Sequence, residues 1–329
     1  MRKNLTFLAW TASVVLVLSM VFAACKDNKG KSNDESANDE EDTELVDEDE
    51  DEGVDEDSFD DIADVMTARE FILALKSNTR IRIFNNDALN ITQALDELID
   101  EGRIDRYMVN GSPQSRAGIY WEPEYDGNNL IIVKLHDILI EGLTDDGGFL
   151  MTTPRYSDVL HLEKCKNITV ENLTLGHEET GECVGDVVVL NGCEDVTIDK
   201  CHLFGCGVNG LSTNHSSDIS VKDTEIYGCS FFGVVMQGTE DVRFEKSKVF
   251  NNGCGLNIDE YCDDVTFDNC ELTNNRGQLF MCYSKITVKN SKIEHHHGDF
   301  TENVKLVNCD VVMDYDEAEE LPDIEDIGE

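Results

Sequence analysis

The sequence predicts an all-β solenoid of stacked parallel coils, on three observations. A short phrase recurs: apolar, polar, apolar, then a small residue, then an aliphatic. Its first apolar residues are Ile138, Ile168, Val196, Ile219, Val242, Val265, Ile286 and Val304, at spacings of 30, 28, 23, 23, 23, 21 and 18. A period of this size marks a repeat whose single unit cannot bury its own apolar face. Second, two apolar residues around one polar residue make a short strand with one face inward. Third, the outward column Glu225, Lys248, Glu271, Lys292, Asp310 alternates in sign. Stacked parallel strands set such residues about 4.8 Å apart in backbone spacing, where opposite charges attract.

Thr67-Ala68-Arg69-Glu70 is a capping box, and Phe71, Ile72, Leu73 and Leu75 continue it as a short amphipathic helix ending before Asn78. A solenoid needs its end covered, so this helix is expected to cap the N-terminal end. Ile81-Arg82-Ile83 reads as the first strand, and Ile91, Ala94, Leu95, Leu98 and Ile99 as a second short helix. From Gly102 to Asp126 the pattern is weak; Tyr120-Trp121-Glu122-Pro123 reads as a loop or edge strand. In the repeats a second strand precedes each phrase, as in Val187-Val188-Val189-Leu190 and Gly233-Val234-Val235-Met236. The column Cys201, Thr224, Ser247, Cys270, Ser291, Cys309 suits a tight bend. Asp195, Asp218, Asp241 and Asp264 precede successive phrases and read as turn residues. Cys206 and Cys229 occupy equivalent bends one coil apart, where a disulfide is open but geometrically demanding. The paired Asn251-Asn252 and Asn274-Asn275 are expected to form a side-chain ladder.

These coils, Asn-rich bends and Cys/Ser/Thr columns resemble the right-handed parallel β-helix proteins of the pectate-lyase-like superfamily, over about Thr67 to Val311. The resemblance implies a right-handed parallel β-helix with a short N-terminal capping helix. It leaves the activity open, because that superfamily holds lyases, hydrolases, isomerases and binding proteins alike.

The chain divides into four parts. Residues 1–24 carry Arg2 and Lys3 before an uncharged apolar run from Leu5 to Ala24, a secretory signal. The run closes on Phe22-Ala23-Ala24-Cys25, which resembles a bacterial lipobox and implies cleavage before Cys25 and lipidation of it. A membrane-spanning helix is the alternative, since the run is nearly long enough. Residues 25–61 form an acidic linker with 19 Asp or Glu against 3 Lys, too polar to bury a core. Residues 62–313 form the β-helix domain, and 314–329 an acidic tail. The expected location is the outer membrane or cell surface, lipid-anchored, reached through the general secretory route.

Charge narrows the partners. The whole chain carries −43, and about −20 of it falls on residues 62–313. No basic stripe exists to displace counterions, so nucleic acid is excluded. A membrane, met through the lipid anchor, and a glycan or protein surface remain. Polyanionic sugars would need bridging calcium, the one candidate cofactor.

The coil between Ile168 and Val196 is five residues longer than the 23-residue norm. Its extra length falls in 176–186, and a long loop on a solenoid is where binding or catalysis sits. There His177 and Asp186, with His202 beyond, are the candidate acid/base residues, and Glu178 and Glu182 candidate binding residues. The plain alternative is an acidic surface loop with a bystander His. Arg243 breaks an outward column of Thr and Ser and is a further binding candidate; pairing with Glu245 explains it more cheaply. His295-His296-His297 falls in a bend column and reads as exposed bend, so no metal ligands are assigned. The resulting expectation is a surface-tethered module presenting a glycan- or protein-binding face, with a polysaccharide lyase or glycoside hydrolase as the alternative.

Overall fold

A computed structural model describes residues 59–144, 146–178, 184–205, 207–296 and 302–314. The signal segment with Cys25, nearly all of the acidic linker, Glu182, Cys183, Cys206, His297 and the tail after Asp314 lie outside them.

Three sheets run along the described residues, of ten, nine and nine strands, here the first, second and third; all their ladders are parallel except one pair in the third. Each coil visits the third, then the first, then the second. One coil, for example, is Leu160–Glu163, Lys166–Glu171 and Leu173–His177. The register joins equivalent phrase positions: Ile168 pairs with Val196, Val196 with Ile219, Ile219 with Val242. The phrase's two apolar columns point inward and are almost wholly buried. The architecture is a parallel β-helix, as the repeat requires.

The corners explain the polar columns. A single left-handed residue turns the chain from the first sheet to the second: Asn172, Lys200, Asp223, Lys246, Asn269, Asn290 and Asn308 have φ between 44° and 54°. Asp195, Asp218, Asp241 and Asp264 are also left-handed, with φ of 47–59°. Asn and Asp tolerate this conformation best among non-glycine residues, so the aspartate column is structural.

The small residue that follows the corner satisfies backbone groups the bend would strand. The Thr224 and Ser247 hydroxyls donate to the Ile198 and Val221 carbonyls of the preceding coil, at 3.4 and 3.2 Å. In return, the Cys201 and Thr224 amides donate to the Thr224 and Ser247 hydroxyls, both at 3.2 Å. Cys270 takes the same place, its thiol 3.5 Å from the Phe244 carbonyl. Cys165, Cys193, Cys201, Cys229, Cys262 and Cys270 are buried free thiols. The Cys206–Cys229 pairing has its other member outside the described residues. The asparagine ladder is present: Asn252 Nδ2 donates to Asn275 Oδ1 at 3.1 Å, and both residues are buried.

At the N-terminal end, α1 (Ala68–Ala74) starts with the full capping box, and α2 (Ile91–Asp100) is capped by Asn90. Their apolar faces join the solenoid core. A strand at Asp61–Val65 precedes α1 and pairs with Thr79–Ile83. The strands therefore begin earlier than Ile81, and Asp61 belongs to a strand rather than to the charge run. Most of that strand is exposed, so it carries no alternation to read. Tyr120 lies in an antiparallel strand, Gly118–Pro123, on Asn128–Val133. Among the described residues no helix is long and apolar enough to cross a membrane.

Candidate functional site

The turns from the second sheet to the third vary most in length, and the irregular ones gather near α2. There Asn90, Thr92, Gln93, Asp96 and Thr153 line a groove of about 390 Å³. Every lining side chain is polar. Glu178 ties two of them together, its Oε2 accepting from Asn90 Nδ2 and Thr153 Oγ1, both at 2.7 Å. Asp96 Oδ1 accepts from Asn128 Nδ2 at 2.8 Å. The neighbouring loop presents Tyr125, 87% exposed, with Tyr156 at 5.2 Å between ring centroids. Asp126 fixes that pair by accepting the Arg155 and Tyr156 amides at 2.7 and 3.2 Å. Gly127 is required here, because a Cβ would fall 2.3 Å from Pro154 Cγ.

Behind the loop lies a polar cluster built on the edge of the third sheet. Asp158 Oδ1 accepts the Asp186 amide at 2.8 Å, and Oδ2 accepts from His161 Nδ1 at 2.8 Å and Asn129 Nδ2 at 3.1 Å. Asp186 Oδ1 accepts the Asn209 amide and side chain, both at 3.0 Å, and Oδ2 accepts from Ser212 at 2.5 Å. Burial pulls the His161 pKa down, but the Asp158 carboxylate outweighs it and raises it; burial pushes Asp158 up, but His161 and the surrounding donors hold it low. Burial, opposed by Ser212, lifts Asp186 to about 6. All four carboxylate oxygens of the pair are occupied by protein donors, so the cluster clamps successive coils together.

A raised carboxyl pKa means that the folded state holds its proton more tightly than the unfolded chain. Its stability contribution is fully present below the unfolded value, near 4, and is lost as pH rises through 6. Unfolding free energies followed from pH 4 to 6.5 should therefore fall more steeply with pH in the wild type than in Asp186→Asn. Parallel curves would contradict this.

The sequence candidates disperse. His177 is 3% exposed at the inner end of its strand; its Nε2 donates to the Ser157 carbonyl at 2.8 Å, and burial lowers its pKa. It braces the loop from within, because strand alternation turns it inward. His202 is exposed on the outer face of the second sheet, 3.4 Å from Glu225. It pairs with Thr174, three residues before His177, about 10 Å along the strand. Arg243 stands exposed on the first sheet beside Glu245, at 3.4 Å. Of the candidates among the described residues, only Asp186 joins the cluster and only Glu178 joins the groove. Asp158 and His161 escaped the reading, although their Asp-x-x-His spacing just before an alternating strand is a usable signal. Among the described residues no group of three or more His, Cys, Asp or Glu is arranged to hold a metal ion.

No curated protein matches the sequence. Among solved structures, the alginate lyase of Paenibacillus sp. str. FPU-7 is similar at TM-score 0.38 and 11% identity, over 76% of this chain and 99% of that one. Pectate lyase Pel9A is similar at TM-score 0.41 and 11% identity, over 78% and 79%. The pectate lyase of Paenibacillus sp. 0602 gives TM-score 0.36 and 9% identity, over 79% of each chain. Residues 158–311 match the family model described as a right handed beta helix region, and the parallel coils of this chain form a right-handed β-helix.

Proposed function

We propose that this chain is a surface-tethered lipoprotein that binds a glycan in the groove beside α2 without cleaving it. One observation carries the reading: a groove lined only by amide, hydroxyl and carboxylate side chains, flanked by a tyrosine pair of which Tyr125 is exposed. Such groups match the hydroxyls and apolar ring faces of a sugar. Asp96 lines the groove, Glu178 bridges two of its side chains and Asp126 stands in the neighbouring loop, so the groove favours a neutral glycan over a polyanionic one. The lipobox-like Phe22-Ala23-Ala24-Cys25 and the acidic run after it support an anchor at Cys25 and a tether that holds the domain off the membrane.

A second reading, acid/base cleavage of a polysaccharide, draws on the Asp186 pKa near 6. Against it stand the protein donors that occupy both Asp186 oxygens. Glycan-array binding, run with reducing-sugar and unsaturated-uronate assays with and without calcium, separates the two. Binding without product release supports the proposal; product formation that Asp186→Asn abolishes overturns it. Gln93→Ala and Tyr125→Ala should each weaken glycan binding about tenfold, the loss of one hydrogen bond or one stacking contact. Calorimetric titration with the best array glycan checks this, and unchanged affinity in both variants would remove the groove as the site.

A further inference from the structure

The two ends of the solenoid are finished differently. Helices α1 and α2 pack on the core at the N-terminal end, whereas among the described residues nothing covers the outer side of the last strands, Val304–Val307 of the first sheet and Asp310–Asp314 of the second. Leu306 and Val311 continue inward columns that are buried at Val288 and Ile293, yet each is 40% exposed. Their outward neighbours depart from the pattern too. Val307 and Val312 stand where the preceding coil has Lys289 and Glu294, and they are 41% and 51% exposed. Two strand edges joined at one corner, apolar on the inner face and at Val307 and Val312 on the outer, make a template for further strand pairing.

We propose that a second copy of this chain covers this end through a two-fold axis running through the Asn308-Cys309 corner. Such an axis, perpendicular to the solenoid, reverses the sense in which the coil is traced. It therefore lays Val304–Val307 of one protomer antiparallel on Asp310–Asp314 of its partner, and the reverse. The corner fixes the register: Leu306 meets Val311 of the partner subunit, inward residue on inward residue, and Lys305 meets Val312 of the partner subunit. Lys305 then lies diagonally from Asp310 of the partner subunit on the outer face, within reach of cross-strand attraction. That complementarity selects a second copy. The contact is isologous and closes on itself.

The test uses the full chain, purified and air-oxidised. In a Cys25→Ser, Cys309→Ser background, which removes the thiols at the tether and on the axis itself, Lys305→Cys with Val312→Cys should give a covalent dimer on a non-reducing gel. Neither single variant should do so, because each new thiol would then face a non-cysteine residue. No dimer from the double variant, or equal dimer from the singles and the wild type, overturns the proposal. Sedimentation of the thiol-intact chain gives an independent reading. Lys305→Asp should weaken self-association at least tenfold, and adding Asp310→Lys should restore it. A chain that is monomeric at tens of micromolar (roughly the range of weak specific contacts) but dimerises once residues 315–329 are deleted would assign the end to its own tail and likewise overturn the second copy.

Discussion

Replacing Phe267 by alanine is expected to destabilise the solenoid by about 3–5 kcal/mol, the range for a buried phenylalanine. Phe267 is fully buried and stacks on Phe244 of the preceding coil, ring centroids 4.5 Å apart and 19° from parallel. The axial neighbours are strands held by their own ladders, so the surroundings cannot collapse into the space left. Solenoids couple each unit mainly to its neighbours, so the loss should fall on the C-terminal coils first. Urea unfolding with amide exchange checks both statements. Exchange at Phe267 should speed up strongly while exchange near Ile140 stays slow. A loss under about 1.5 kcal/mol, below the large-to-small range, would mean that the core relaxes around the site.

Asp158→Ala is expected to cost about 3–5 kcal/mol by breaking a buried ion pair from one side. The His161 and Asp158 side chains are only 17% and 15% exposed, so little solvent screening reduces this figure. The substitution also strands the Asp186 amide and the Asn129 side chain. Asp158→Asn keeps the shape but removes the charge, and should recover part of the loss while lowering the His161 pKa, because burial then acts with little opposition. Nuclear magnetic resonance titration of the imidazole reads that shift directly. A His161 pKa unmoved in both variants would show that the pair does not set its charge.

The sequence exposed what repeats or is local and hid what pairs distant residues once. Stacking enforces the inward columns and the Glu225–Lys248 alternation in coil after coil, the Asn252–Asn275 ladder joins two successive coils, and the capping box at Thr67 is legible because its partners lie three residues apart. Lys248 Nζ lies 2.7 Å from Glu225 and Lys292 Nζ 3.0 Å from Glu271, as the alternating column requires. The groove and the cluster break the repeat. Asn90 meets Glu178 across 88 residues, and Asn129 meets Asp158 across 29. No periodicity links such partners. The interrupted coil holds Glu178, which reaches the groove, and Asp186, which joins the cluster. His177 lies buried in the strand, because the strand continues one alternation further than the loop-like composition suggests.

The buried thiols have a use as clocks. Cys201, Cys229 and the pair Cys262 and Cys270 sit in three separate coils, and burial pushes each thiol pKa up to about 12. A thiol at such a pKa scarcely forms thiolate near neutrality and resists alkylation while its coil is closed. Its labelling rate therefore reports how often that one coil opens. A mass-resolved labelling series on the native chain would read the rise and fall of local stability along the stack, coil by coil, without a single introduced probe.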